Sequence, residues 1–239
     1  MPAPVLIIQT GNSNPTLRDS YGGYAQQIQC AAGLCASETQ TVLVCEGEEL
    51  GSPCGYRAVF ITGSPAMVTD KEDWSERTAE WIRDAAEQDM PMFGICYGHQ
   101  LLTHAFGGEV GYNPAGRAAG TMHVETFDCC RKDELLGVLP EQFPAHMLHM
   151  QSVLRPARDA IVMARSPMDP HHVIKHKHNV YSTQFHPEFS PDFVRAHLNY
   201  YAEVYRGCGI DAMALCDKVS ETPQSTGLLK RFLELYARH

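Results

Sequence analysis

The sequence predicts an α/β protein with a doubly wound, mostly parallel open sheet, helices on both faces and a partly antiparallel edge. Three observations favour this fold class. Short apolar, β-branched runs alternate with helical stretches over roughly the first 110 residues. Several of these runs end at glycine-rich turns, which is typical of buried strands. The remaining chain holds short extended segments with few helices between them, a pattern that indicates antiparallel pairing.

The N-terminal half supplies the expected parallel strands and their crossover helices. Apolar runs of strand length lie at Val5–Gln9, Thr41–Cys45, Ala58–Thr62 and Met92–Ile95. Helices are predicted over about Tyr21–Ala32, over a stretch with Trp74, Trp81, Ile82 and Ala85 at helical spacing that ends before Pro91, and over Gly98–Phe106. Because parallel strands need crossover connections, this alternation predicts the doubly wound part of the sheet.

The C-terminal half changes character after Gly108. Extended segments are predicted at Thr121–Phe127, Ala145–Leu148, Ala160–Ala164, His172–Lys175 and Val180–Phe185, and helical stripes at Pro191–Tyr205 and Gly227–Arg238. No internal repeat or linker interrupts the chain, so we expect one domain over residues 1–239, with a core at about 4–205 and a helical tail at about 206–239. We expect the last helix to cover the sheet rather than dock a partner.

The composition excludes several classes of function. The formal net charge is −9 and the sequence pI is near 5.7, so the surface repels nucleic-acid phosphates and anionic lipid. The N-terminal segment has no basic region and too few apolar residues for a signal peptide or a membrane span. Nine cysteines without paired spacing do not predict a disulfide framework. We therefore expect a cytoplasmic protein that binds neither nucleic acid nor membrane.

The segment Gly94-Ile95-Cys96-Tyr97-Gly98 sets a cysteine between two glycines at the junction of a predicted strand and a predicted helix. This is the pattern of a nucleophile elbow, in which the glycines relieve crowding around a strained turn. The positive end of the following helix favours the reactive thiolate. By itself the pattern leaves open a buried structural cysteine, because free cysteines often belong to the core.

A partner for this cysteine is predicted at His186-Pro187-Glu188, directly after the extended segment Val180–Phe185. Residues i and i+2 of an extended chain face the same way, so Glu188 can orient the imidazole of His186 while its other nitrogen faces the sulfur. Gly63-Ser64-Pro65 ends another predicted strand, and its backbone amides together with that of Tyr97 would form an oxyanion hole. Alone, the Gly-Ser-Pro segment also fits an ordinary turn.

In this arrangement the chain resembles the class I (triad) glutamine amidotransferase family, whose fold is flavodoxin-like. The resemblance rests on ordered segments at Ile61-Thr62-Gly63-Ser64-Pro65, Phe93-Gly94-Ile95-Cys96-Tyr97-Gly98-His99-Gln100-Leu101, Gly107-Gly108-Glu109-Val110, Asn113-Pro114 with Gly116-Arg117 and Gly120, and Thr183-Gln184-Phe185-His186-Pro187-Glu188-Phe189. It spans about residues 5–202. The chain is similar to stand-alone members and to the glutaminase domain of GMP synthetase.

The resemblance implies a role for each matching residue. Cys96 would be the nucleophile, His186 the acid and base, and Glu188 the carboxylate that orients it. Gly63 and Tyr97 would donate to the oxyanion. The implied substrate-binding residues are Gln100, Ser64, His149 and Met150. At Leu148-His149-Met150-Gln151, relatives close to GMP synthetase have Ser-His followed by Gly-Asp, so the backbone contacts with the substrate's α-amino and α-carboxyl groups are expected to differ. Ala118 is a second departure, since many relatives have glutamate at this position.

The expected activity is hydrolysis of a γ-glutamyl amide through a cysteine thioester, with no cofactor. One alternative is a stand-alone γ-glutamyl peptide hydrolase, and another is a catalytically silent binding or regulatory homologue, which would have lost a triad residue. Cysteine-elbow proteins of the stress-chaperone or peptidase type lack the late His-Pro-Glu segment. About 200 residues of amidotransferase-like sequence leave no room for a synthetase domain, so either water accepts the glutamyl group unaided or a separate synthetase chain works in trans.

The histidine-rich segment His171-His172 to His176-Lys177-His178 is not predicted to bind metal. Its lysines would repel a cation, and no cysteine or carboxylate completes a coordination set. We therefore expect no metal site.

Overall fold

The computed structural model describes residues 3–237, which form an open nine-stranded sheet, a separate two-stranded sheet and surrounding helices. The strands in this part of the chain are β1 (Val5–Gln9), β2 (Thr39–Leu43), β3 (Ala58–Ile61), β4 (Met92–Ile95), β5 (Glu109–Tyr112), β6 (Ala118–Thr126), β7 (Gln142–His149), β8 (Gln151–Arg155), β9 (Ile161–Arg165), β10 (Val173–Lys177) and β11 (Val180–Thr183). The α-helices are α1 (Pro15–Tyr21), α2 (Tyr24–Ala32), α3 (Asp73–Glu87), α4 (Tyr97–Ala105), α5 (Pro191–Tyr200), α6 (Ala202–Gly207), α7 (Ala212–Cys216) and α8 (Pro223–Tyr236).

The large sheet has the strand order β2-β1-β3-β4-β11-β10-β9-β6-β7. The first five strands in this order pair in parallel, and the last four continue as antiparallel neighbours. Strands β5 and β8 form the small antiparallel sheet. The parallel part has the flavodoxin-like order, in which β1 lies between the second and third strands. The predicted fold class, a parallel sheet with an antiparallel edge, is confirmed.

The parallel strands are apolar on both faces because helices cover both faces. Val5 and Ile7 of β1 point into one core, which includes residues of α2 and α8. Leu6 and Ile8 point into the opposite core, which includes residues of α3 and α4. Alternation along a strand therefore does not separate apolar from polar positions here, and each central strand is a continuous buried run.

The last helix packs on the sheet, as the sequence predicts. The ring of Phe232 in α8 lies 5.8 Å from the ring of Phe60 in β3 and 5.5 Å from that of Phe93 in β4, measured between centroids. Arg238, the end of the predicted helix, lies outside the described residues. None of the helices within residues 3–237 combines the length and apolar character that a membrane crossing requires.

Several predicted elements differ from the structure. The helix expected over Tyr21–Ala32 is α2 and begins later, at Tyr24, because Gly22-Gly23 separates it from α1. The sequence does not predict α1, which begins with Asn14 as N-cap and Pro15 as its first residue. The single helix expected over Pro191–Tyr205 is likewise divided at Tyr201 into α5 and α6. The sequence does not predict strands β5 and β8 or helix α7, because they are short and carry no clear hydrophobic period.

Candidate active site

Cys96 occupies the turn between β4 and α4 in a backbone conformation that side chains rarely adopt, with φ 52° and ψ −96°. Two hydrogen bonds hold this turn. The amide of Cys96 donates to the carbonyl of Thr183 at 2.8 Å, and the amide of Gln100 donates to the carbonyl of Cys96 at 3.1 Å. Conformations of this kind cost about 1–3 kcal/mol and persist only where the surrounding structure enforces them. The cysteine is therefore held at a strained elbow.

The two glycines of the elbow permit close packing of three backbone segments. A Cβ atom at Gly94 would lie 2.5 Å from the carbonyl oxygen of Gly98, and one at Gly98 would lie 2.5 Å from the carbonyl oxygen of Ile61. Both contacts are far too short for a side chain. The helix that follows Cys96 can thus pack directly against the ends of β3 and β4.

His186 and Glu188 form a buried pair just after β11, the parallel neighbour of β4. The Nδ1 atom of His186 lies 2.8 Å from Oε1 of Glu188, and the two side chains are 4% and 0% exposed. The imidazole stacks on Phe189 with ring centroids 4.1 Å apart and an interplanar angle of 7°. The amide of His186 donates to the carbonyl of His146 at 2.9 Å. Backbone, carboxylate and aromatic contacts together fix the ring.

The pKa of His186 reflects this environment. Burial alone lowers it, but the charges of Glu188 and Cys96 outweigh burial and raise the pKa above its ordinary value. The neighbouring His146, which has no carboxylate beside it, shows the effect of burial, which lowers its pKa to about 4. The geometry therefore favours an imidazolium at His186, and a neighbouring imidazolium stabilises a thiolate.

Gly63 follows β3 and lies beside both Cys96 and His186. A Cβ atom added to Gly63 would lie 3.7 Å from Cβ of Cys96 and 3.0 Å from Cε1 of His186. The carbonyl of Gly63 accepts hydrogen bonds from the hydroxyls of Thr10, at 3.1 Å, and Thr62, at 2.9 Å. These bonds fix the orientation of the turn.

Tyr97, the first residue of α4, contributes the other predicted oxyanion donor. Its hydroxyl bonds Ser75 at 2.7 Å and its ring stacks on Trp74, so α3 holds the first turn of α4 in position. Within residues 3–237, the amide groups of Gly63 and Tyr97 donate to no protein acceptor. Two amides without acceptors beside a cysteine can bind an oxyanion.

A cavity of about 310 Å³ opens beside the thiol, a volume near the lower end of the range for small-molecule sites. Its lining includes seven of the predicted site residues, Cys96, His186, Tyr97, Gln100, Ser64, His149 and Met150. The other two lie outside this lining: Glu188 pairs with the imidazole of His186, and a Cβ atom added to Gly63 would lie 3.0 Å from that ring. The structure thus brings all nine predicted residues to one place.

Hydrogen bonds hold three of the predicted substrate-binding residues. The amide nitrogen of Gln100 donates to the carbonyl of Gln151 at 2.8 Å and to the side chain of Gln184 at 3.1 Å. The hydroxyl of Ser64 donates to the carbonyl of Thr10 at 2.6 Å. His149 bonds the carbonyl of Gln151 through Nδ1 at 3.0 Å, and burial lowers its pKa to about 4, so its ring is neutral.

Sequence reasoning missed the part of the cavity wall that comes from elsewhere in the chain. The additional lining residues include Arg117, Tyr201, Val204 and Tyr205, of which the last three belong to the region of α5 and α6. The Gly116-Arg117 segment contributes to the family resemblance, but the sequence alone assigns the arginine no role. A helical stripe of apolar residues predicts core packing, so α6 gives no local signal that it lines a cavity.

The fold and this cavity define an α/β protein with a cysteine elbow facing a buried histidine–glutamate pair. The family model described as glutamine amidotransferase class-I matches residues 16–198. The chain belongs to the class I glutamine amidotransferase family.

Its relatives include enzymes named for GMP synthesis. A glutamine-hydrolyzing GMP synthase of Aeropyrum pernix is 37% identical over 142 residues, which cover 59% of this chain and 25% of that protein. A glutamine-hydrolyzing GMP synthase subunit of Methanocaldococcus jannaschii is 29% identical over 161 residues, which cover 66% of this chain and 76% of that one. The chain thus matches about a quarter of the longer synthase and most of the separate subunit.

Solved structures have the same fold. A glutamine amidotransferase of Thermotoga maritima aligns over 100% of both chains with a TM-score of 0.79 and 18% identity. One of Methylobacillus flagellatus aligns over 100% of this chain and 97% of the other, with a TM-score of 0.82 and 20% identity.

Substitutions at position 96 test the strained backbone. We expect Cys96→Gly to have a larger free energy of unfolding than Cys96→Ala, by about 1 kcal/mol. Relief of roughly 1–3 kcal/mol of strain outweighs the roughly 0.5–1 kcal/mol that glycine ordinarily costs. Urea denaturation of the two variants measures the difference. As a control, Ala105→Gly in α4 should lower the free energy of unfolding by about 1 kcal/mol or more, because glycine is unfavourable inside a helix. A Cys96→Gly variant less stable than Cys96→Ala would contradict a strained elbow.

Proposed function

We propose that this protein hydrolyses the γ-carboxamide of glutamine through a covalent thioester on Cys96. The observation that carries the proposal is the meeting of Cys96 with the His186–Glu188 pair at the carboxyl ends of two adjacent parallel strands. Ligands of open α/β sheets bind at this edge. Membership of the amidotransferase family and relatives named as glutamine-hydrolyzing support the same reaction.

In the first step the thiolate of Cys96 attacks the γ-carbonyl carbon and forms the S–C bond. The negative charge moves to the carbonyl oxygen, where the amides of Gly63 and Tyr97 would stabilise it. The C–N bond then breaks, and the imidazolium of His186 gives its proton to the leaving nitrogen, which departs as ammonia.

In the second step water attacks the thioester, and His186 accepts a proton from it. The C–S bond breaks, glutamate leaves and the thiolate is regenerated, so that no net proton or electron remains on the protein. Glu188 holds the ring of His186 in the tautomer that this exchange needs. Gln100, Ser64, His149 and Met150 are the proposed walls for the glutamyl part.

Replacing members of the His186–Glu188 pair tests this assignment. We expect His186→Ala to reduce glutamate release by at least about 10²- to 10⁴-fold, because it removes the proton donor and acceptor. Glu188→Gln should cost less, but it removes the charge that raises the pKa of His186. The imidazolium is then lost at lower pH, so the alkaline limb of the kcat/KM profile should shift to lower pH.

The measurement is steady-state release of glutamate from glutamine across pH, with Glu109→Gln as an exposed carboxylate control. An unchanged profile in Glu188→Gln, or negligible losses in both variants of the pair, would show that the pair is structural. The unmodified chain alone could show almost no turnover and become active only when a synthetase partner is added. That result would indicate ammonia delivery in trans. Turnover by the purified chain alone would indicate water as the normal acceptor.

A second candidate, hydrolysis of γ-glutamyl peptides, is supported by Arg117 in the cavity wall. The guanidinium lies over the ring of Tyr205 at 5.3 Å from its centroid and contacts the sulfur of Met150. Within the described chain it pairs with no carboxylate, and its Nε atom is buried without an acceptor. Arginine binds carboxylates with a planar fork of donors. The peptide's own carboxylate, on the leaving amine, would satisfy this group.

A comparison of three substrates distinguishes the two candidate functions. If Arg117 binds the leaving residue, Arg117→Met should lower kcat/KM for a γ-glutamyl dipeptide by roughly 10- to 100-fold, the value of a charged hydrogen bond of about 1.5–3 kcal/mol. The same variant should change kcat/KM little for glutamine and for the C-terminally amidated dipeptide, because neither carries that carboxylate. Arg155→Met, at an exposed arginine, is the control. Equal losses for all three substrates would contradict the peptide candidate.

A further inference from the structure

Three buried side chains from two segments of the chain lie close together, and one of them, His149, lines the cavity. His149 ends β7, Asp169 lies in the turn before β10, and His172 immediately precedes that strand. Each offers one nitrogen or oxygen atom, and these atoms all lie within 4.8 Å of one another. The three residues are 5%, 0% and 0% exposed. The catalytic mechanism proposed above uses neither Asp169 nor His172.

Each of the three side chains has at least one nitrogen or oxygen atom without a hydrogen-bond partner. In His149, Nδ1 donates to the carbonyl of Gln151, so Nε2 keeps its lone pair and is unpaired. In Asp169, Oδ1 accepts from the amide of His171 at 2.8 Å, while Oδ2 is unpaired. Both ring nitrogens of His172 are unpaired. Each unsatisfied buried group costs about 1–3 kcal/mol, so a ligand that binds all three would remove a considerable penalty.

The charge balance also favours a cation. A buried carboxylate without a cationic partner is costly, and no lysine or arginine of residues 3–237 pairs with Asp169. The lysines that follow His172 in sequence bind elsewhere: Lys175 pairs with Asp133 at 2.7 Å, and Lys177 reaches the carbonyl of Ala86. The expectation that no carboxylate completes a coordination set is wrong, because Asp169 lies beside His172 and the fold brings His149 to both.

The other histidines of that segment do not take part. His171 bonds the carbonyl of Val153, His176 bonds the hydroxyl of Ser182, and His178 is exposed. The predicted histidine-rich cluster therefore disperses on folding.

We propose that His149, Asp169 and His172 bind one divalent transition-metal ion of the zinc class. Two imidazoles and one carboxylate are a donor set that Zn²⁺ accepts, with a water molecule in the fourth position. Tetrahedral ligands at the usual Zn–N distance lie about 3.4 Å apart, so side-chain shifts of about an ångström close the present spacing. The bound ion would tie the end of β7, which walls the cavity, to the segment that precedes β10.

The first test measures metal binding to the full chain after chelator treatment. Competition between the protein and a chromophoric chelator for Zn²⁺ should show that each chain binds one Zn²⁺ ion tightly. Asp169→Asn, which keeps the side-chain shape, and His172→Gln should each weaken binding by at least about 10-fold. His176→Gln and the exposed His178→Gln are controls that should retain it. Thermal unfolding of each metal-free variant verifies that it is folded.

Free thiols are a competing source of binding, since five of the nine cysteines are exposed. Co²⁺ distinguishes the two sources, because the proposed site should give ligand-field bands without thiolate-to-cobalt charge transfer. Zn²⁺ at about 100 times Kd should also raise Tm of the unmodified chain by roughly 5–10 °C. Absence of saturable binding, a thiolate spectrum, or equal affinity in Asp169→Asn and His172→Gln would overturn the site.

Discussion

The strained backbone of Cys96 is the constraint on which the rest of the site depends. A side chain at φ 52° and ψ −96° persists only because the elbow is enclosed by Gly94 and Gly98 and tied to Thr183. These contacts require the ends of β3, β4 and β11 to lie together at one edge of the sheet. The same three strand ends are followed by Gly63, Cys96 and the His186–Glu188 pair. One local conformation therefore couples the packing of the parallel sheet to the assembly of the candidate active site.

The antiparallel part of the molecule supplies what the parallel core lacks. Strand β7 ends beside the thiol, where the carbonyl of Leu148 lies 3.9 Å from Sγ of Cys96, and it contributes His149 to the cavity wall. Tyr201, between helices α5 and α6, and Tyr205 of α6 also line the cavity. The reacting groups thus rest on rigid parallel strands, whereas the residues that would select the leaving group come from the edge and the tail. Differences in substrate among related chains are expected to arise in this second set.

The sequence predicts those parts of the structure that depend on local patterns of residues. Strand β4 and the elbow follow from a buried apolar run and two glycines around Cys96, and the pair of His186 and Glu188 follows from the two-residue period of an extended chain. Strands such as β5 are too short to show a hydrophobic period in the sequence. The guanidinium of Arg117 and the meeting of His149 with Asp169 depend on tertiary contacts between distant segments, which no local pattern encodes.

The central claim is that Cys96 carries the glutamyl group during turnover, and direct observation of that bond tests it best. The full chain is mixed with excess glutamine, quenched in acid within the steady state and analysed by intact-mass and peptide mass spectrometry. The account predicts an acid-stable γ-glutamyl adduct on Cys96 that is absent from Cys96→Ala and from samples without glutamine. Sustained glutamate release by the unmodified chain with Cys96 unmodified, or with the adduct on another cysteine, would contradict it.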